Sequence, residues 1–389
     1  MPKSERQTSL IDWLDDKHDE MVALLAETVN IDSGTYNKAG VDAVGKVLVD
    51  HLEAHGVPCE RIADERFGDC FRAVVPDGGE GGRNRHVLLL GHRDTVFPDG
   101  TVAERPFRID GDRAYGPGVV DMKGGLVLNT FVLEAFAATG GAPMPLRGLY
   151  TSDEEITSPS SRPVIEAEAR NALAVFNSEP ARESGNVVGG RKGAWFFAFE
   201  VTGKAAHSGS RHQAGVSAIE EICRKVQKLH ALTDYESGTT VNVGLIQGGT
   251  TVNTVAPLAM AEVDLRFKNF ELYDAAKAKI MEILDETHLA GTTMRITRGG
   301  EFLPVVGTPE SKALFNAYKE AATEVGFDVD VEDTGGCSDA GFTSAVGAPT
   351  LCGTGPMGGK GHSPEEYCRI DTLVPRGKAL ALAVLRAAG

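Results

Sequence analysis

Short apolar runs bounded by glycine or charged residues alternate with segments of helical spacing along most of this chain. Helical spacing of apolar residues predicts helices at 10–29, 41–55 and 124–138. Runs such as HVLLLGH lack polar alternation, which is typical of strands buried on both faces of a sheet. Predicted strands and helices alternate up to about residue 190, which predicts an α/β domain with a mixed, mostly parallel sheet between helices.

The pattern changes between residues 191 and 300. Strands predicted at 195–201, 240–247, 258–267 and 293–297, with helices at 215–231 and 271–288, follow the ferredoxin-like order βαββαβ. The first pattern then returns, with helices at 311–325 and 373–388 and a strand near 348–352. We therefore predict one domain from residues 1–190 and 301–389 and an inserted domain from 191–300. The glycine-rich stretch 78–82 predicts only a short loop.

Three predicted strands stop on side chains that can bind metal ions. The run from residue 86 delivers His92, the run from 146 is followed by Glu154 and Glu155, and the run from 172 is followed by Glu179. Open α/β sheets place their ligands at the carboxyl ends of such strands. A single histidine or glutamate after a strand is usually a solvated loop residue, but three together indicate a site.

Asp121 in GPGVVDMKGG and His362 in GKGHSPEE complete a set of imidazole and carboxylate ligands. Such a set suits borderline cations such as zinc, and it holds too many anionic groups for one tetrahedral ion. Sharing one carboxylate between two ions resolves the count. We predict His92 and Glu179 on one ion, His362 and Glu155 on the other, and Asp121 bridging them.

Two acidic residues remain beside these ligands. Asp94 lies two residues after His92 on the same side of the strand, where it can orient the imidazole. Glu154 is left over from the pair with Glu155, and we predict that it is the general base, which takes a proton from the attacking water and passes it to the leaving amine. Such a pair of glutamates is equally often two acidic residues on a solvated loop.

The segments GHRDTVFP, DRAYGPGVVDMKGG, TSDEE, FNSEP, GKAAHSG and GGKGHSPEEY resemble the metallopeptidase family of aminoacylases, succinyl-diaminopimelate desuccinylases and glutamate carboxypeptidases, in order through nearly the whole chain. The glutamate carboxypeptidases are the most similar branch. The resemblance implies the same metal ligands, Glu154 as base, two Zn²⁺ ions (Co²⁺ or Mn²⁺ would also suit) and amide hydrolysis. The chain departs from the family pattern at Arg93, where relatives usually carry an apolar residue.

The resemblance also assigns polar residues of the inserted domain. His207 in GKAAHSG, alone more typical of an exposed turn, would reach the active site of a partner subunit and stabilise the oxyanion. Arg266 in AEVDLRF would bind the substrate's terminal carboxylate with Asn253, although a cross-strand ion pair and a turn are the ordinary interpretations of these residues. The resemblance thus implies a homodimer in which the insert serves as lid and dimerisation domain.

The net charge and the composition limit the kinds of binding partner and the location that we expect. The net charge of −16 disfavours nucleic acid and anionic membrane surfaces, and no apolar run is long enough to span a bilayer. The amino-terminal segment is amphipathic rather than a signal peptide. Six cysteines without a CxxC motif are typical of reduced thiols, which predicts a cytoplasmic location.

We therefore predict a zinc-dependent hydrolase of the glutamate carboxypeptidase type, which cleaves an amide or peptide bond next to a free carboxylate in a small molecule or short peptide. An N-acyl-amino-acid deacylase or a dipeptidase would use the same catalytic residues. A catalytically silent binding protein clamped by metals is the alternative outside the enzymes, although the presence of Glu154 argues against it. A dinuclear phosphoesterase has less support, since such sites are usually richer in His and Asp than in Glu.

Overall fold

The computed structural model of the protein describes residues 3–77 and 85–388. The loop expected at 78–82 lies outside these residues. Contacts along the chain divide it into two compact units. The first comprises Met1–Gly190, Gly307–Thr334 and Ser338–Gly389, and the second comprises Arg191–Val306 with Gly335–Cys337.

The helices of the described residues fall close to the segments with helical spacing. One expectation differs, because the segment 10–29 forms two helices that separate after Asp15 and resume at His18. Both helices bury an apolar face, so the spacing continues across the break. The α-helices are α1 Lys3–Asp15, α2 His18–Val29, α3 Lys38–Ala54, α4 Thr101–Glu104, α5 Gly124–Ala138, α6 Ser161–Ala169, α7 Ala218–His230, α8 Phe270–Asp285, α9 Pro309–Glu324, α10 Ala340–Ala345 and α11 Leu373–Ala388.

The strands of the described residues form three sheets, two in the first unit and one in the second. The strands are β1 Cys59–Ile62, β2 Cys70–Val75, β3 His86–His92, β4 Arg108–Asp110, β5 Arg113–Tyr115, β6 Leu146–Thr151, β7 Ala172–Asn177, β8 Val187–Arg191, β9 Gly193–Thr202, β10 Thr240–Gly248, β11 Leu258–Phe267, β12 Thr293–Phe302, β13 Val331–Thr334, β14 Thr350–Cys352, β15 Gly358–Gly359 and β16 Tyr367–Arg369.

The main sheet of the first unit has the order β1-β2-β6-β3-β7-β14-β8-β13. Its central strands β6, β3, β7 and β14 are parallel, and β1, β2 and β8 pair antiparallel. Every residue of β3 is buried, as its unbroken apolar run predicts. Helix α5 is buried nearly all round, in agreement with its mostly apolar sequence, and Asn129, Thr130 and Glu134 are its buried polar residues. The predicted α/β class with a mixed sheet is confirmed.

The second unit has the predicted ferredoxin-like fold. Its strands form an antiparallel sheet in the order β10-β11-β9-β12, with α7 and α8 as the connecting helices. Along β11 buried positions alternate with more accessible ones, and Val263, Leu265 and Phe267 face the core of this unit.

Across residues 3–77 and 85–388, none of the helices combines the length and the apolar character that crossing a bilayer requires.

Candidate metal centre

Three neighbouring parallel strands carry polar side chains at their carboxyl ends. Strand β3 ends on His92, and its neighbours β6 and β7 are followed by the Glu154–Ile156 turn and by Glu179. A short 3-10 turn begins at Glu154, so the strand has already ended where the glutamate pair occurs. The carboxyl ends of adjacent parallel strands meet at one edge of a sheet, and the structure brings these residues together there.

Two further side chains reach this edge from loops. Asp121 lies in a distorted helical segment, Val119–Lys123, directly before α5, and its peptide bond to Met122 is cis. His362 follows β15 in the left-handed conformation, with φ of 64°. The preceding Gly361 approaches closely, because a Cβ there would lie 3.3 Å from Oδ2 of Asp121. Glycine at this position therefore permits the loop to bring His362 beside Asp121.

The five predicted ligands form two groups that share Asp121. In one group, Nε2 of His92 lies 3.3 Å from Oδ1 of Asp121 and 3.7 Å from Oε1 of Glu179. In the other, Nε2 of His362 lies 3.3 Å from Oδ2 of Asp121 and 3.3 Å from Oε2 of Glu155. Candidate ligand atoms within each group lie within 4.8 Å of one another. Asp121 thus directs one oxygen at each group, which is the geometry of a bridging carboxylate.

The residues present fit a divalent cation in both groups. Oε1 of Glu155 is buried and has no hydrogen-bond partner among the described residues, and Nε2 of His92 is in the same situation while facing carboxylates. A buried polar atom without a partner costs free energy, and a cation bound in each group would remove that cost. Mixed nitrogen and oxygen donors suit zinc and similar ions.

The crowding of acids shifts the pKa values of this cluster. Burial raises the pKa of Glu154 well above its ordinary value; His92 opposes the shift and the neighbouring carboxylates of Glu179 and Glu155 add to it. Burial likewise raises the pKa of Glu155 to about 7, against a hydrogen bond from His362. Hydrogen bonds to Asp121 and Glu155 raise the pKa of His362 to about 10. The cluster therefore holds more negative charge than its own imidazoles neutralise.

Glu154 stands beside both groups without belonging to either. Its Oε2 lies 4.0 Å from Nε2 of His92, and the residue is 7% exposed. A buried carboxylate with a raised pKa is suited to accept a proton near neutral pH. Its location is therefore compatible with the predicted base.

Asp94 contacts more of the site than the spacing of the sequence indicated. The Nδ1 atom of His92 lies 3.0 Å from the main-chain oxygen of Asp94 and 3.4 Å from Oδ1. The same carboxylate accepts hydrogen bonds from the backbone N–H groups of Glu154 and Glu155, each at 3.1 Å, and from Oγ1 of Thr35 at 2.7 Å. Asp94 thus holds the imidazole and the turn with both glutamates.

Sequence reasoning missed Glu366. Its buried carboxylate accepts hydrogen bonds from the backbone N–H groups of Gly118, Val120 and Asp121, at 3.1, 2.9 and 3.1 Å. These bonds fix the loop that presents Asp121. The Glu365–Glu366 pair follows His362 closely, but the sequence gives no sign that the second glutamate turns inward.

Two other buried residues brace the strand ends. Asp339 accepts hydrogen bonds from Oγ of Ser158 and from Oγ1 of Thr151. Arg93, the departure from the family pattern, is fully buried and donates to the carbonyl oxygens of Val41, Asp69 and Thr151. An arginine can occupy this apolar position because backbone carbonyl groups satisfy its N–H groups.

The predicted residues of the second unit are His207, Asn253 and Arg266. His207 and Asn253 lie on adjoining segments, since the N–H of Ser208 donates to the carbonyl oxygen of Asn253 at 3.0 Å. The Nδ1 atom of His207 accepts the N–H groups of Gly209 and Ser210 at 3.1 and 3.2 Å. A neutral imidazole that accepts at Nδ1 carries its proton on Nε2, so the exposed ring presents a donor.

Arg266 forms an ion pair within its own strand rather than across the sheet. Its Nε and Nη2 atoms donate to the two carboxylate oxygens of Asp264 at 2.7 and 3.1 Å. The guanidinium lies over the ring of Phe196, 4.9 Å from its centroid, and Nη1 donates to Sγ of Cys337 at 3.2 Å. Nη1 also donates to the main-chain oxygen of Gly335 at 3.5 Å, so Gly335 and Cys337, rather than Asp264, are its acceptors.

Comparisons with known proteins identify the family of this chain. Residues 88–386 match the sequence profile of peptidase family M20/M25/M40. The chain is 30% identical to carboxypeptidase G2 of Pseudomonas sp. (strain RS-16) over 96% of this chain and 90% of that protein. It is 29% identical to succinyl-diaminopimelate desuccinylase of Burkholderia lata over 85% of this chain and 90% of that protein.

A solved structure shows the same fold. The M20 family metallo-carboxypeptidase Sso-CP2 from Sulfolobus solfataricus superposes with a TM-score of 0.76 and 18% identity, covering 95% of this chain and 99% of that one. The family match and the relatives that span nearly the whole chain define a metal-dependent hydrolase of the peptidase and amidohydrolase class. The chain belongs to peptidase family M20/M25/M40.

Proposed function

We propose that this protein is a dinuclear zinc hydrolase of the glutamate carboxypeptidase type, which cleaves an amide or peptide bond next to a free carboxylate. One observation carries the proposal: Asp121 directs its two oxygens at separate groups of ligand atoms. His92 and Glu179 would hold one ion, His362 and Glu155 the other, and Asp121 both. The similarity to carboxypeptidase G2 supports the carboxylate-bearing substrate.

Glu154 performs the proton transfers in this mechanism. When bound, the divalent ions supply Lewis-acid activation of water and of the amide carbonyl. The Glu154 carboxylate takes the proton of the attacking water and delivers it to the nitrogen of the leaving amine. Asp94 keeps the imidazole of His92 and the glutamate turn in register, and burial of Glu154 excludes bulk water from the transferred proton.

We assign His207 to the stabilisation of the oxyanion in a partner subunit, with the second unit as lid and dimerisation domain. The donor on Nε2 of its exposed ring supports this role. Strand β10 is an edge of its sheet and exposes Leu245 and Ile246. An edge strand with exposed apolar side chains is a template for pairing with another chain, which supports a homodimer.

Mixing two inactive variants tests the exchange of His207 between subunits. A heterodimer of His207→Ala and Glu154→Gln subunits has one complete site if His207 acts across the interface, and none if it acts within its own subunit. Random reassociation of equal amounts should restore about a quarter of wild-type activity. Each variant alone serves as the control, and failure to recover activity in proven heterodimers would contradict the exchange.

Arg266 and Asn253 bind the substrate carboxylate in this proposal. Asp264 orients the guanidinium through Nε and Nη2, and a substrate carboxylate would replace the contacts of Nη1 with Cys337 and Gly335. An Arg266→Lys variant should show an increased KM for substrates with a free carboxylate and little change for the same substrates as carboxamides. Equal changes for both would contradict the assignment.

A substrate panel tests the proposed function itself. The metal-loaded protein should hydrolyse substrates that carry a C-terminal glutamate faster than those with Asp, Ala or aromatic residues. Preference for N-acyl amino acids or free dipeptides would instead establish the deacylase or dipeptidase that the desuccinylase relative suggests. Absence of any metal-dependent amide hydrolysis would refute catalysis and leave a binding protein.

We also infer a cytoplasmic location, which rests on the cysteine pattern of the sequence. Fractionation of cells that express the tagged protein measures it directly.

A further inference from the structure

A second cluster of histidine and carboxylate lies in the first unit, between α3 and α5. His51 and His55 are four residues apart at the end of α3, so their rings share one face. Their ring centroids are 4.6 Å apart. Glu134 of α5 meets both rings: its Oε1 lies 3.0 Å from Nε2 of His51 and 3.5 Å from Nδ1 of His55.

Glu134 is the unusual member of this cluster. The residue is 1% exposed, and both of its carboxylate oxygens are buried without a hydrogen-bond partner among the described residues. Nε2 of His51 is also buried and unbonded there. Among the described residues, Glu134 forms ion pairs with these two histidines and with no lysine or arginine. A buried carboxylate in this state requires a positive partner.

We propose that His51, His55 and Glu134 bind a divalent cation of the zinc type, as a site additional to the centre at the strand ends. Their candidate ligand atoms lie within 4.8 Å of one another. Two imidazoles and one carboxylate are a known zinc donor set, and water occupies the fourth position in such sites. The side chain of His55 is 41% exposed, so the cluster opens to solvent on that side.

The position of the cluster indicates a structural role. Glu134 follows Asp121 by 13 residues, and α5 spans most of that interval, which places the two about 20 Å apart along the helix axis. A cation held by both helices would cross-link α3 to α5. Binding replaces the hydrogen bond of 2.7 Å that joins Nδ1 of His55 to the main-chain oxygen of His51.

The competing explanation is a protonated histidine paired with Glu134 without any metal. Such a pair would normally form a hydrogen bond to at least one carboxylate oxygen. Here neither oxygen of Glu134 accepts a hydrogen bond among the described residues, although Nε2 of His51 lies 3.0 Å from Oε1.

Zinc content of the full-length protein tests the proposal. After equilibrium dialysis against Zn²⁺, the His51→Gln/His55→Gln variant and the Glu134→Gln variant should each bind one ion fewer than the wild type. Both should retain amide hydrolysis and a wild-type circular dichroism spectrum. The matched control is His18→Gln, since His18 is exposed and lies outside the cluster. Equal zinc content in all four proteins would overturn the proposal.

A measurement on the wild type covers the case in which a variant does not fold. Crystals grown with saturating Zn²⁺ should show an anomalous-scattering peak between Glu134 and His51. Zn²⁺ should also raise the melting temperature of the wild type more than that of the double variant, because a ligand stabilises the state that binds it. Absence of the peak would overturn the proposal and establish the metal-free pair. The centre at the strand ends would give its own anomalous peak, so the experiment tests the two proposals separately.

Discussion

The first unit places histidines beside carboxylates in two different ways. At the strand ends, Asp94 and Glu366 hold the turns and loops that present the ligands, through hydrogen bonds to backbone N–H groups. Between α3 and α5, the helices alone position the side chains, and Glu134 has no such support among the described residues. The ligands of the centre at the strand ends are thus fixed by hydrogen bonds from neighbouring residues. The side chains between α3 and α5 are positioned only by their spacing along the two helices.

A third pair shows when proximity does not indicate a metal. Nε2 of His86 lies 3.9 Å from Glu168. Arg72 and Arg147 already pair with this carboxylate at 2.5 and 2.7 Å. The arginines supply the positive charge that a cation would otherwise provide. The arginines on Glu168 therefore distinguish this pair from the cluster at Glu134 better than distance does.

Among substitutions that test this comparison of the two clusters, the largest effect on activity is expected at Glu154. A Glu154→Gln substitution should lower kcat by about 10²- to 10⁴-fold, because the amide cannot accept the proton of the attacking water. Metal content measured by mass spectrometry should stay at the wild-type value. Glu104→Gln is the matched control, since Glu104 is exposed. Retained turnover in the metal-loaded variant would exclude Glu154 as the base.

The next effect concerns acid stability and His86. Burial lowers its pKa to about 4, and Arg147 contributes to the shift. The unfolded chain, with a pKa of about 6.5, takes up the proton first as the pH falls. The wild type should therefore lose about 2 to 3 kcal/mol of unfolding free energy between pH 6.5 and pH 4.

A His86→Leu variant should lack this particular loss. Urea unfolding at several pH values measures the difference, with the exposed His18→Leu as control. Parallel pH profiles of the wild type and His86→Leu would show that burial and Arg147 do not lower the pKa of His86.

Substitution of Asp94 tests whether the hydrogen bonds at the strand ends are what distinguish this centre from the cluster between α3 and α5. An Asp94→Ala substitution removes the acceptor for the glutamate turn and for Thr35, so metal affinity and kcat should each fall by about 10- to 100-fold. Isothermal titration with Zn²⁺ and steady-state kinetics measure the two quantities. A variant with the metal affinity and kcat of the wild type would show that the ligands need no such support.

The smallest effect is expected at Glu366. A Glu366→Gln substitution keeps one acceptor oxygen but loses the charge that strengthens the bonds to the Asp121 loop. Metal affinity should weaken by about tenfold, with KM nearly unchanged. Glu365→Gln is the neighbouring control, since Glu365 is exposed. Equal affinity in the two variants would leave Glu366 without a positioning role.

The sequence predicted the parts of this molecule that depend on local pattern. The buried run of β3, the alternation along β11 and the residues after β6 and β7 were all readable, because burial and strand direction decide them. Contacts between distant segments were not readable. Glu366 turns towards a loop more than 240 residues earlier, and Glu134 meets histidines on another helix.

The break between α1 and α2 marks another boundary of prediction. Apolar spacing continues through it, so periodicity alone predicts one helix where the structure has two. Likewise, Arg266 lies on the polar side of its strand as expected, but only the structure shows that its partner is Asp264 on the same strand.

The position of β14 in the main sheet has a consequence for biosynthesis. This strand of residues 350–352 lies between β7 and β8, which precede it by well over a hundred residues. While the ribosome is still translating the insert, the gap between these two strands has no occupant, and His362 does not yet exist. The main sheet can therefore be completed only after residues 350–352 have left the ribosome.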